Sequence, residues 1–191
     1  HHCQFLRVKQ IIDQKIYGVP KKVFINFGFP HLSSADIRYS KGLSGGALMD
    51  AGAYTISAVQ ELFPDNELVY SSLDIQGYEV DIAGSAVFLT KGGIKCFLNW
   101  GFGLSYKNDI EIWTDDSHVI VDRAFSKPAD FRAEIMISKN GKISLDSDES
   151  CNHFIKMFDY VFGISKNDYR DINKKLFLQM KKIDSILKNG K

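Results

Sequence analysis

An α+β fold is predicted, with an open, predominantly antiparallel sheet and helices packed on one face. Two features of the chain point there. One strongly helical stretch, Ser44 to Phe63, is followed by seven short strand-like segments in succession. Some of the links between them, such as Lys91-Gly92-Gly93 and Lys139-Asn140-Gly141, have hairpin composition. Strands joined by such short turns form an antiparallel meander, whereas parallel sheets need crossover helices.

The elements are expected in this order. From Cys3 to about Lys15, Phe5, Val8, Ile11 and Ile12 recur at helical spacing, and Tyr17-Gly18-Val19-Pro20 ends the helix. Lys22 to Phe29 alternates as a half-buried strand that Pro30 closes. His31 to Leu43 lacks periodicity and carries Ser33, Ser34, Asp36 and Arg38, so it is a polar loop. After the helical stretch come strands over Glu67–Ile75, Ile82–Thr90, Ile94–Leu104, Asp109–Thr114, His118–Asp122, Phe131–Ser138 and Lys142–Leu145. Two of these, IAGSAVFLT and IKCFLNWGFGL, are apolar or small on both alternating faces, so something must cover the face that the helices leave open. Asn152–Phe162 and Asp168–Leu187 close the chain as helices whose apolar stripes are expected in the core. No repeat or linker interrupts residues 1–191, which therefore read as one domain.

Composition narrows the function. The chain has 191 residues, 45% of them hydrophobic, which suits a globular domain with a sizeable core. Its 24 basic and 23 acidic residues leave a net charge of +1, so no global field draws nucleic acid or an anionic membrane to it. No apolar run is long enough to span a bilayer, and the reading is of a soluble, cytoplasmic protein. Cys3, Cys96 and Cys151 are odd in number and widely separated, which argues against a disulfide framework and against a thiolate metal site. His1, His2, His31, His118 and His153 show no metal-ligand spacing. Asp115-Asp116 reads as a solvated turn.

Two short motifs mislead. Tyr17-x-x-x-Lys21 has the spacing of a dehydrogenase tyrosine–lysine pair, but Gly18 and Pro20 forbid the helix that pair needs. Gly101-x-Gly103 lies within a strand with no helix after it, so it is not a dinucleotide fingerprint.

The chemistry concentrates on Ser44–Phe63. Ser44 is placed to cap a helix about five turns long, and Gly45 and Gly46 would leave backbone N–H groups uncovered at its start, where a ligand oxygen could approach. At about 100° per residue, Asp50, Tyr54, Ser57 and Glu61 share one narrow polar stripe. That stripe reads either as the wet side of an amphipathic helix or as a carboxylate and a phenol presented to a ligand, with Arg38 just upstream.

DIRYSKGLSGGALMDAGAYTISAVQELF resembles the central motif of the C-terminal domain of the glucose-fructose oxidoreductase and inositol dehydrogenase family: an arginine, a glycine cluster, then aspartate, glycine and tyrosine or histidine. Ser44 replaces that motif's first glycine. The stretches YKNDIEIW and VDRAFSKPAD look most like the branch that reduces keto groups on nucleotide-linked sugars. The resemblance implies an absent N-terminal Rossmann domain that would carry most of the NAD or NADP site and a catalytic lysine, so this chain alone should neither bind cofactor tightly nor turn over. It implies Tyr54 as proton donor and acceptor, Asp50 as its catalytic companion, and Arg38, Gly45 and Gly46 at the substrate. It also implies a sugar or nucleotide-sugar substrate and a homo-oligomer formed through the open sheet face. A non-catalytic sugar or nucleotide sensor of the same architecture is the alternative.

Overall fold

A computed structural model describes residues 3–128, 131–147 and 152–190. His1, His2 and Cys151 lie outside them. Helix α1 (Cys3–Asp13) precedes strand β1 (Pro20–Phe29); a loop and helix α2 (Ala53–Leu62) lead to strands β2 (Asn66–Asp74), β3 (Ala83–Thr90), β4 (Lys95–Phe102), β5 (Lys107–Thr114), β6 (His118–Asp122), β7 (Glu134–Lys139) and β8 (Lys142–Ser147). Helices α3 (His153–Gly163) and α4 (Lys166–Asn189) follow. No helix among the described residues is long and apolar enough to cross a membrane.

The eight strands form one sheet in the order β2-β3-β4-β1-β5-β6-β7-β8. The meander is therefore broken in the middle, where β1 inserts between β4 and β5 and runs parallel to β4, pairing Lys22–Phe29 with Lys95–Phe102. Its composition explains the position. Val23, Ile25 and Phe27 are buried against the helices, and Phe24 on the other side stacks on Phe97 at 5.1 Å. A strand that is apolar on both faces gains most between two neighbours. At the β7–β8 turn Asn140 (φ 51°) and Gly141 (φ 74°) both take the left-handed conformation that a two-residue hairpin demands.

The helix-side face carries the core, with Phe88, Leu98, Trp100, Ile110 and Ile112 all at most 1% exposed. On the opposite face Phe24 also meets Trp113, with ring centroids 4.9 Å apart, while Trp113, Ile143 and Leu145 stay exposed. A polar ladder crosses the same face: Ser85 Oγ donates to Asn99, Asn99 Nδ2 to Asn26, and Asn26 Nδ2 to Asp109. That face is thus an aromatic centre crossed by hydrogen bonds, less uniformly apolar than strand composition suggested.

Helix α1 is tied down at its sides. Gln4, 2% exposed, donates to the Asp122 and Glu134 carbonyls, and Arg7 pairs with Asp146 of β8 at 2.7 Å while the Tyr17 hydroxyl donates to the same carboxylate at 3.0 Å. Burial pushes the Asp146 carboxyl upward, but the hydrogen bonds from Arg7 and Tyr17 outweigh it and hold the group below the usual carboxylate range. A depressed native pKa contributes stability that is fully present above the unfolded value of about 4 and is lost as pH falls through the native value. Asp146→Asn is expected to cost about 1–2 kcal/mol at pH 7. In urea titrations the gap from wild type should close in acid below the carboxylate range; a gap that persists there would assign the cost to packing.

The two closing helices depart from expectation. Helix α4 begins earlier than periodicity indicated, because Ser165 and Asp168 form a reciprocal capping box that sets the start at Lys166. Its Ile183 and Ile186 are buried, yet Leu176, Met180 and Leu187 are about half exposed. The apolar residues of α3 do not enter the core at all: Ile155 is 58% and Phe162 86% exposed. The inner face of the sheet is covered by α1, α2 and the end of α4 instead.

Candidate functional site

The carboxyl-terminal ends of β1, β2, β4 and β6 lie along one edge of the sheet with the amino-terminal ends of β3, β5 and β7, and the loops there surround the start of α2. Residues 31–43, expected as irregular loop, contain two 3₁₀ turns, Ile37–Tyr39 and Lys41–Leu43, the first capped by Asp36, whose carboxylate accepts from the Arg38 amide at 3.0 Å. Ser44 does not cap the following helix. It sits in the left-handed region (φ 58°) at the end of the second turn.

The helix start is sealed from within. Gly45 N–H donates to the Ser40 carbonyl and Gly46 N–H to the Arg38 carbonyl, both at 2.9 Å. Ala47 N–H donates to the Asp81 carbonyl at 2.8 Å and Leu48 N–H to the Asp81 carboxylate at 2.6 Å. These four amides are therefore not open to a ligand, contrary to the reading of an uncovered N-terminus. The glycines serve close approach instead. A Cβ on Gly45 would lie 2.5 Å from the Arg38 carbonyl oxygen; one on Gly46, whose φ is +120°, would lie 2.5 Å from Asp81 Oδ1. Burial pushes the Asp81 carboxyl above its ordinary range, with the Leu48 amide pulling the other way. Nothing in the run around Asp81 marks it as a cap, because it meets the helix only through the fold. Asp81→Ala is expected to lower stability by about 1–3 kcal/mol in thermal or urea unfolding, the cost of stripping a buried amide of its acceptor.

The next residues are not α-helical. Leu48–Gly52 form a π-helical turn before α2 takes over at Ala53. Leu48 and Ala51 are fully buried, and Gly52 lies flat on Trp100, where a Cβ would come within 3.0 Å of the indole. Such turns insert at functional positions more often than elsewhere in helices. Here the turn carries Asp50 and ends two residues before Tyr54.

The polar stripe divides in two. Glu61 pairs with Lys175 of α4 at 2.8 Å and is structural. Asp50, half-buried, accepts from Arg38 Nε at 2.8 Å, and Arg38 Nη1 reaches Asp36 at 3.2 Å. The guanidinium is thereby held charged, chiefly by its hydrogen bond to Asp50. Arg38 thus bridges two carboxylates, and Asp50 Oδ1 has no protein partner among the described residues. Tyr54 is 51% exposed, and its ring stands edge-on to Phe27 (5.4 Å, 86°) and lies 5.9 Å from Phe125. Its hydroxyl has no protein hydrogen-bond partner among the described residues. Met49, placed on the apolar side by an α-helical wheel, is 41% exposed.

Two supports escaped residue-by-residue reading. Tyr39, buried beside Arg38, accepts from the Leu32 amide, bonds His31 Nδ1 at 3.0 Å, and stacks on Tyr78 at 5.3 Å. Asn108, 2% exposed, is a hub: its Oδ1 accepts from Phe125 N–H, its Nδ2 donates to Tyr106 and to the Ser126 carbonyl, and its own carbonyl accepts from Ala124 N–H. This one residue gives the YKNDIEIW and VDRAFSKPAD stretches a common mechanical purpose. It pins the second against the first and sets Phe125 beside Tyr54.

Comparison with known proteins identifies the family and the fold. Residues 5–120 match the family model of the GFO/IDH/MocA C-terminal domain. The dTDP-3,4-didehydro-2,6-dideoxy-alpha-D-glucose 3-reductase of Saccharopolyspora spinosa is 32% identical over 163 residues, 83% of this chain and 49% of that protein. The 3-ketoreductase KijD10 of Actinomadura kijaniata, in complex with NADP and TDP-benzene, superposes with a TM-score of 0.89 at 24% identity, covering 99% of this chain and 59% of that one. A variant of the same enzyme with a tyrosine replaced by phenylalanine superposes equally well, again at 24% identity over 99% of this chain and 59% of that one. The chain spans about half the length of the curated relatives it matches.

Proposed function

From the chain's membership of the GFO/IDH/MocA family, through its C-terminal domain, we propose that residues 1–191 form the substrate-binding and oligomer-forming part of an NADP-dependent ketoreductase acting on a nucleotide-linked sugar. The observation that carries the reading is Tyr54: a half-exposed phenol on an aromatic seat, its hydroxyl uncommitted, four residues after a carboxylate that Arg38 fixes in place. The substrate class rests on the relatives, whose names specify a dTDP-linked sugar.

A bound nicotinamide supplies hydride to a carbonyl carbon. The described residues contain no glycine-rich turn leading from a strand into a helix that would hold the dinucleotide; Gly101 lies near the end of β4 and Gly103 just beyond it, with no helix following. We place only the reactive end of such a group against this chain. Tyr54 donates its hydroxyl proton to the substrate oxygen as that oxygen gains charge, leaving a hydroxyl on the reduced carbon. Asp50, oriented through Oδ2 by Arg38, accepts a sugar hydroxyl with Oδ1 and sets the distance between carbonyl and phenol. Gly45 and Gly46 act by packing, letting the Arg38 backbone and Asp81 close on the helix start.

Full-length protein supplied with NADPH should reduce TDP-linked keto sugars, followed as loss of NADPH absorbance across a panel of such substrates. Binding of the sugar nucleotide without turnover by any of them would overturn the enzymatic reading in favour of a sensor. The aromatic patch of Phe24, Phe97 and Trp113, with exposed Ile143 and Leu145, supports pairing of two copies through the open face. Light scattering at micromolar concentration should give at least a dimer, and a stable monomer would count against it. Cys96, fully buried with its thiol pushed up to about 12, suits a reducing, cytoplasmic setting.

A further inference from the structure

We propose that Arg123 anchors the diphosphate of the substrate, an assignment that rests on the nucleotide-sugar reading above. Three observations support it. Among the described residues Arg123 has no carboxylate within salt-bridge distance, whereas Arg7 is paired with Asp146, Arg38 with Asp36 and Asp50, and Lys107 with Asp109 and Glu111. Its guanidinium carbon lies over the rings of Tyr106 (5.7 Å) and Phe131 (5.6 Å), and its side-chain N–H groups, which can grip phosphate oxygens two at a time, donate to no protein group among the described residues. Its backbone is in the left-handed region (φ 47°), an unfavourable conformation for an arginine that persists only where the surroundings impose it.

The surroundings that impose it belong to the site. Asn108 holds Tyr106 through its hydroxyl and holds Ala124 and Phe125 through their amides, so the residue that aims Arg123 also seats Phe125 beside Tyr54. Arg123 and Phe125 are two residues apart, at most about 7 Å along the chain. The reacting end of a sugar at Tyr54 and the charged end of its linked phosphates are thereby received by one clamped loop. Asp122, the preceding residue, shares an outer-face groove with Ile120 and Met136. Arg38 is less suited to the anion, since its charge is already shared by two carboxylates.

The test uses full-length protein, thymidine diphosphate as the probe, and two substrates: a TDP-linked keto sugar and the same sugar without the nucleotide. Arg123→Ala is expected to weaken thymidine diphosphate binding, and to lower kcat/KM for the linked substrate, by about 10- to 100-fold. The rate with the unlinked sugar should stay within about twofold, and Arg123→Lys should restore part of the binding because charge remains while the fork is lost. Unchanged thymidine diphosphate affinity in Arg123→Ala would overturn the assignment while leaving the ketoreductase reading intact. Equal loss on linked and unlinked sugars in both variants, with a lowered melting temperature, would make Arg123 structural and overturn it too. Wild-type protein that reduced unlinked sugars yet failed to bind thymidine diphosphate would remove the nucleotide-sugar reading and this assignment with it.

Discussion

Tyr54→Phe in the full-length protein is expected to reduce kcat by at least ~100-fold while leaving stability and cofactor affinity unchanged, the scale of a lost general acid. The geometry makes the substitution unusually clean. The Tyr54 ring is held by carbon contacts, edge-on to Phe27 and against Phe125, and phenylalanine keeps all of them. The hydroxyl bonds no described protein group, so its removal strands no buried donor or acceptor. The melting temperature should therefore match wild type, with stability within about 0.5 kcal/mol. KM for the linked sugar should change far less than kcat, because proton transfer is needed in the transition state and hardly at all in the ground state. A variant that kept full turnover would remove Tyr54 from the chemistry, and the proton would have to come from elsewhere. Asp50→Asn should behave differently: Arg38 would lose one of its two carboxylate partners, so turnover and stability should fall together.

How far these features could be read in advance depends on whether their cause is local. Most strands and the closing helices were legible to within about three residues because alternation and helical periodicity are properties of neighbours in sequence, and Asn140-Gly141 announced its hairpin for the same reason; the central helix was not, since the stretch read as helix from Ser44 becomes α-helical only at Ala53. The position of β1 was not, since no local pattern says that the earliest strand fills a slot between the fourth and the fifth. Amphipathicity identified α3 as a helix but could not say that its apolar stripe stays out of the core. Arg38, Asp50 and Tyr54 were singled out through a motif with fixed spacing, and the structure places Arg38 on Asp50. The glycines were recognised but misconstrued. From sequence a Gly-Gly start means exposed amides, whereas in the fold Asp81, more than thirty residues away, closes the helix start, and the glycines exist to let it approach. Asn108 and Arg123 lay inside recognised stretches, yet their purpose is visible only once β5 and β6 are paired.

Trp100→Ala is expected to cost about 3–5 kcal/mol, more than the loss of either the Asp81 or the Asp146 carboxylate. Trp100 is 1% exposed and heads the fully buried residues by volume, on a strand flanked by β3 and β1. Two glycines exist in contact with it. A Cβ on Gly84 would come within 2.6 Å of the indole and one on Gly52 within 3.0 Å, so β3 and the π-helical turn both rest flat on the same ring. Truncation would open a void that neither glycine can fill, since neither has a side chain to move. The consequence should extend beyond stability. Asp50 and Tyr54 lie on either side of Gly52, and the turn that aims them loses its floor. In full-length protein assayed well below its melting temperature, Trp100→Ala should therefore lower kcat as well as shift the denaturation midpoint. Trp100→Phe, which keeps a ring under Gly52, should recover much of the activity while remaining less stable than wild type. If Trp100→Ala lost stability but kept wild-type kcat, the π-helical turn would hold its shape without that support, and Leu48 and Ala51, both fully buried, would be the residues that fix Asp50 and Tyr54.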